Sequence, residues 1–189
     1  MLPIVSPLYG LALAGGHSTR MKQDKGLMLY DGMPRREYCC AMISPYCEQV
    51  FISCREEQVT PSPYKFIVDE YRDIGPVSGI VSAMSSHPDV AWLVLACDLY
   101  NVTIEALLAL VSQRDASKFA TAFTNPSTHR PEPLCAIWEP ASRKELIESV
   151  RRNQTGPSYL LESLDCKILS APHSTMFDSV NTPEEFSTQ

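Results

Sequence analysis

The segment Ala91-Trp-Leu-Val-Leu-Ala-Cys97 is an unbroken apolar run that stops abruptly at Asp98. A strand wetted on one face alternates apolar and polar residues, whereas a run without alternation reads as a strand covered on both faces. The rest of the chain repeats the same theme, with short apolar runs at Tyr9–Ala14, Gln49–Cys54, Lys65–Asp69, Phe119–Thr124, Leu134–Trp138 and Lys167–Ser170. A shorter strand-like piece, Leu27–Tyr30, is closed by the turn pair Asp31–Gly32. Between these runs lie segments of helical period. One opens at Pro34 and reaches about Tyr46, and another follows Gly75–Pro76 to about Ser86. Ile104–Arg114 is capped by Thr103 and sets Leu107, Leu108 and Val111 on one face. Ser142–Arg152 carries i, i+4 charge pairs, Ser158–Leu164 is short, and Thr182–Phe186 begins a terminal helix with Pro183 near its start. Strand and helix in alternation predict a three-layer α/β fold, a mostly parallel, Rossmann-like sheet with helices on both faces. The 189 residues show no repeat, low-complexity tract or linker, so one domain over 1–189 is expected.

Charge and cysteine usage narrow the function. A net charge of -6 opposes a general nucleic-acid surface, which needs a basic stripe. No apolar run approaches the ~20 residues of a membrane span, and residues 1–9 lack the pattern of a secretory signal. The seven cysteines are scattered, with no C-x-x-C pair, which predicts reduced thiols in the cytoplasm rather than a disulfide framework or a zinc site.

In sheets of this class ligands sit beyond the carboxyl ends of the strands, which selects Gly15, Gly16, Asp69 and Asp98. Gly15 and Gly16 open the backbone to close approach by a phosphate, and Arg20, Lys22 and Lys25 follow with Asp24 as the one opposing charge. This is a local basic patch in an acidic chain, although a tight turn bearing solvated cations would read the same way. Neither the G-x-x-x-x-G-K-[ST] loop nor the G-x-G-x-x-G fingerprint is present. Asp98, ending a buried strand, suits Mg²⁺, which takes one or two carboxylates together with substrate phosphates; a helix cap is the alternative, but Thr103 is the better cap. Gly75-Pro-Val-Ser-Gly79 would let a helix start approach a bound nucleotide. Asn181 stands at a helix entrance, as a cap or with its oxygen reaching a metal.

Together these segments resemble the molybdenum cofactor guanylyltransferase family of nucleotidyltransferases over nearly the whole chain. The family pattern L-A-G-G-x-S-x-R-M-G-x-D-K reads here as Leu13-Ala-Gly-Gly-His-Ser-Thr-Arg-Met-Lys-Gln-Asp-Lys25. Gly75-Pro-Val-Ser-Gly-Ile80 is similar to its G-P-L-A-G-I, Pro133-Leu-Cys-Ala136 to its P-L-x-A, and Val180-Asn-Thr-Pro-Glu184 to its I-N-T-P-E. The resemblance implies transfer of GMP from GTP to the terminal phosphate of the molybdopterin cofactor, with release of pyrophosphate and with Mg²⁺ as cofactor. It implies nucleotide contacts from Leu13, Ala14, Gly15, Gly16, Lys25, Ser53, Asp69, Gly79 and Asp98. Arg20, Lys25 and Asp98 carry the transfer, and Asp98 and Asn181 hold the metal. Transient contacts with proteins that deliver and receive the cofactor follow, with no nucleic acid or membrane partner.

Two departures bear on the loops. Lys22 stands where the family has glycine, and Leu99-Tyr100 follow Asp98 where the family has Met-Pro or Thr-Pro, which leaves that turn without its stiffening proline. A cytidylyltransferase of the same superfamily and a non-catalytic nucleotide-binding accessory protein are the rival readings. The double glycine and Asp24–Lys25 favour the guanylyl branch.

Overall fold

The computed structural model describes residues 5–15 and 24–178. Seven strands form the main sheet: β1 (Leu8–Leu13), β4 (Gln49–Cys54), β5 (Lys65–Val68), β6 (Ala91–Ala96), β7 (Ala120–Thr124), β8 (Pro131–Trp138) and β9 (Lys167–Ser170). Their order is β5-β4-β1-β6-β8-β7-β9. Every neighbouring pair is parallel except β6–β8 and β7–β8, so β8 is the strand that runs against the rest. A two-stranded ribbon, β2 (Leu29–Tyr30) and β3 (Met33–Pro34), turns through Asp31 and Gly32, both at positive φ.

The helices are α1 (Arg35–Ile43), α2 (Val77–Ser86), α3 (Ile104–Ser112), α4 (Ser142–Arg151) and α5 (Pro157–Ser163). Side-chain parity along β1 puts α1 and α2 on opposite faces. A Cβ on Gly10 would stand 2.8 Å from Ile43 Cδ1 of α1, whereas one on Gly79 of α2 would stand 2.7 Å from Leu13 Cδ2. Gly10 and Leu13 lie an odd number of residues apart, so they point to opposite sides of the sheet. β6 is buried along its whole length, as its unbroken apolar run requires.

Some expectations shift. The first helix ends at Ile43 and passes into a 3₁₀ turn at Ser44–Tyr46, because Pro45 lacks the amide a continuing helix needs. On α3 the buried face is Ala106, Leu107 and Leu110; Leu108 is 54% exposed. β8 begins at Pro131 rather than Leu134, and the register of its pairing with β7 shifts between Ala122 and Thr124. The ion pair on α4 is Glu148–Arg151, at i, i+3 spacing. The expected terminal helix lies outside the described residues. Among the described residues no helix is long and apolar enough to cross a membrane. All seven cysteines are free thiols.

Candidate active site

A cleft of 660 Å³ opens where β1, β4, β5 and β6 end. Its walls include Leu13, Ala14, Gly15, Lys25, Ser53, Asp69, Gly79 and Asp98, which the strand-end rule and the resemblance had singled out from distant parts of the chain. Arg55, Glu56, Glu57, Arg72 and Asp73 also face it. Acidic side chains therefore outnumber basic ones among the described lining. The expected basic patch is reduced here to Lys25, since Arg20 and Lys22 lie outside the described residues, as do Gly16 and Asn181.

The sheet register brings the central group together. Leu13 pairs with Ser53 on one side and with Ala96 on the other, and Ser53 pairs onward with Ile67. The Ser53 hydroxyl donates to Asp69 Oδ1 at 2.6 Å, and the Asp69 amide donates to Cys54 O at 2.9 Å. A Cβ on Gly15 would strike Asp69 Oδ2, and one on Gly79 would strike Ser53 Oγ. Both glycines are thus fixed by close approach, Gly79 letting the first turn of α2 sit on the strand ends. Burial pushes the Asp69 carboxyl above the usual carboxylate range, while the Ser53 hydrogen bond and the Arg55 charge pull it back.

The residues on either side of Lys25 are held by a bracket that sequence reading missed. Gln58, 8% exposed, donates from Nε2 to Asp24 Oδ2 at 2.8 Å and to Ala14 O at 3.4 Å. Its Oε1 accepts from the Arg55 amide at 3.0 Å and from Arg55 Nε at 3.2 Å. Asp24 Oδ1 accepts from the Gly26 amide at 2.9 Å. One amide side chain therefore ties the end of β1, the residues around Lys25 and the exit of β4 into a single rim.

Asp98 sits half-buried in the turn after β6. That turn is stiff despite lacking a proline: Leu99 and Tyr100 are 3% and 7% exposed, and the Leu99 amide donates to Ala96 O at 3.3 Å. Arg35, only 1% exposed, donates from Nε to Cys97 O at 3.1 Å and from Nη2 to Leu99 O at 2.9 Å. Its guanidinium lies 4.4, 4.7 and 5.1 Å from the ring centres of Tyr100, Tyr30 and Tyr38. Arg36, equally buried, donates to Gln58 O at 3.0 Å and to Thr60 Oγ1, so the paired arginines opening α1 grip two different rims of the cleft. One sequence signal was available: cations in a first helical turn oppose the helix dipole and call for another partner. Cys97 is a packed thiol, 3% exposed.

Beyond Asp98, Glu132 of β8 is 7% exposed, accepting from Asn125 Nδ2 at 2.8 Å and from the Leu134 amide at 3.0 Å. Burial raises its carboxyl, and the Asp98 charge pushes it further the same way. Among the described residues no three His, Cys, Asp or Glu side chains converge as a metal cage. The donors present are a carboxylate at a cleft wall with room for phosphates beside it. That set suits Mg²⁺, which keeps water and phosphate ligands, and does not suit a closed zinc site.

Comparison with known proteins gives the family and the fold. The family model for the MobA-like NTP transferase domain matches residues 10–167. A molybdenum cofactor biosynthesis bifunctional protein of Synechocystis sp. is 34% identical over 184 residues, which is 96% of this chain and 53% of that protein. The chain thus spans about half the length of that relative. A probable molybdenum cofactor guanylyltransferase of Flavobacterium johnsoniae is 29% identical over 170 residues, 89% of this chain and 88% of that protein. In fold, the molybdopterin-guanine dinucleotide biosynthesis protein A of Archaeoglobus fulgidus superposes with a TM-score of 0.76, at 23% identity and 95% coverage of both chains. With most of its length matched by the family model and the strand-end cleft in place, the chain belongs to the MobA-like NTP transferase family.

Proposed function

We propose that the chain transfers GMP from GTP to the terminal phosphate of the molybdopterin cofactor, forming a guanine dinucleotide and releasing pyrophosphate. The observation that carries this reading is the convergence of Lys25, the Ser53–Asp69 pair and Asp98 on one cleft, in a family member whose relatives are named for that reaction. An oxygen of the cofactor's phosphate attacks the α-phosphorus of GTP in line. The new P–O bond forms as the bond to the β-phosphate oxygen breaks, and pyrophosphate leaves with that electron pair. Leu13, Ala14, Gly15, Ser53, Asp69 and Gly79 bind the nucleoside end, where Gly15 lies close against Asp69 and Gly79 against Ser53. Lys25 meets the phosphates, and Arg20 and Gly16 of the same sequence motif join it.

Asp98, with Asn181, holds the cation, and the predominance of carboxylates in the described lining favours a divalent ion accompanying the triphosphate. Such an ion, when bound, neutralises charge spreading over the phosphate oxygens. No covalent enzyme intermediate is needed; the side chains position and stabilise. We place the reaction in a reducing cytoplasm, in keeping with seven free thiols. Transient contacts with cofactor-delivering and cofactor-receiving proteins belong to the same reading.

The test is a thermal-shift titration with GTP, CTP and ATP, each with and without Mg²⁺, followed by pyrophosphate release on addition of the molybdenum cofactor. Ligand at 100 times its dissociation constant adds about 2.7 kcal/mol, so GTP alone should raise the melting point. A shift with CTP in its place would move the chain to cytidylyl transfer. Absence of any shift would refute nucleotide transfer.

A further inference from the structure

We propose that Arg35 is the positioning residue for Asp98, its guanidinium setting the direction in which that carboxylate faces the cleft. The inference rests on the reading above that Asp98 holds the divalent cation. The guanidinium bonds the carbonyls on both sides of Asp98, Cys97 O at 3.1 Å and Leu99 O at 2.9 Å. Cys97 O lies in the peptide entering Asp98 and Leu99 O in the peptide after Leu99, while the Leu99 amide between them donates to Ala96 O at 3.3 Å. The planar, rigid fork thus pins both ends of a turn whose middle is itself bonded, and with it the Cα–Cβ direction of Asp98. This is the stiffness that a proline after the aspartate would otherwise supply.

The surroundings fit a positioning device better than a chance burial. Arg35 lies in the first turn of α1, where the dipole disfavours a cation. The tyrosine rings around it supply cation–π contacts, and Nη1 finds no hydrogen-bond partner among the described residues. What separates it from a merely buried cation is where its bonds go: both hydrogen bonds of the Arg35 guanidinium among the described residues run to the turn that carries Asp98. Its neighbour Arg36 is equally buried on the same helix yet grips the rim at Gln58 and Thr60, which makes it a matched control.

The experiment compares Arg35→Lys, Arg36→Lys and the unaltered full chain. Lys keeps the charge but loses the fork. Binding of Mn²⁺ to the GTP complex is followed by electron paramagnetic resonance, GTP binding in EDTA by calorimetry, and transfer by pyrophosphate release. Misplacing a reacting group by an ångström can slow a reaction about 10²-fold. For Arg35→Lys we expect kcat to fall by that order, the Mn²⁺ dissociation constant to rise about tenfold, and metal-free GTP affinity and KM to stay within about twofold. Tyr30→Leu, which removes one ring from the cage and leaves Arg35 in place, should weaken Mn²⁺ binding about two- to fivefold in the same direction, and reads the effect even if Arg35→Lys does not fold.

Mn²⁺ binding unchanged in a folded Arg35→Lys or Tyr30→Leu variant would overturn the proposal. So would equal losses in Arg36→Lys, which would mark a general structural effect. Failure of the unaltered protein to release pyrophosphate would refute guanylyl transfer alone, since the Mn²⁺ readout needs no turnover.

Discussion

Gly79→Ala sets helix propensity against packing, and the two predict opposite signs. Gly79 lies in the first turn of α2, where alanine favours the helix by at most about 1 kcal/mol. The new methyl, however, would land on Ser53 Oγ and 2.7 Å from Leu13 Cδ2, inside a fully buried contact. Relieving an overpacked core contact costs about 1–3 kcal/mol. Moving Ser53 also breaks its 2.6 Å bond to Asp69, a hydrogen bond to a carboxylate of the kind that contributes about 1.5–3 kcal/mol. Asp69 is half-exposed, which puts this contribution at the low end of that range, and the net is a destabilisation of about 2–3 kcal/mol. At this chain length it lowers Tm by roughly 5–10 °C. Urea unfolding of the variant and the parent, with the m-value checked for constancy, measures it directly. A variant as stable as the parent, or more so, would refute the close-approach reasoning and leave propensity as the ruling effect.

Asp98→Asn should keep the fold and lower transfer by about 10²-fold or more, read as pyrophosphate release beside an unchanged melting curve. Asp69 gives a pH dependence: its folded pKa is raised by burial, so its share of stability is full below the unfolded value of 3.8 and is lost as pH rises through the folded value. Asp69→Asn should therefore gain stability relative to the parent as pH rises from 4 to 7.5, seen in urea midpoints; a variant that loses ground on the parent over that range would contradict the assignment. Glu139→Ala takes the carboxylate from Arg114, removing bonds of 2.6 and 2.8 Å from a pair 11% and 3% exposed and leaving the buried charge with its 3.0 Å bond to Ser6 O. Unfolding stability should drop by about 3–5 kcal/mol, whereas a loss below 1 kcal/mol would show that water reaches the site.

The strands were readable because each is a compact apolar run; Gln49–Cys54 and Lys167–Ser170 were bounded as the structure has them. The direction of β8 was not, since apolar spelling is the same for either sense, and the hairpin-length link from Thr124 to Pro131 decides it. Within the site, glycines and carboxylates at strand ends announced themselves by position. Arg35, Arg36 and Gln58 did not, because they bond mainly to main-chain atoms that no side-chain spelling marks. The proline missing after Asp98 pointed toward a loose turn, whereas a guanidinium more than sixty residues away holds it.

The pairing pattern of β1 also has a kinetic side. Leu13 finds its neighbours at Ser53 and Ala96, and no strand next to it in the sheet is next to it in sequence. The central strand must therefore wait, through two loop closures, until distant segments arrive, and contacts of such sequence separation slow folding by orders of magnitude relative to local ones. Until then the apolar faces of β1 and β6 stand open, so the interval before the sheet closes is when this chain is most exposed to aggregation.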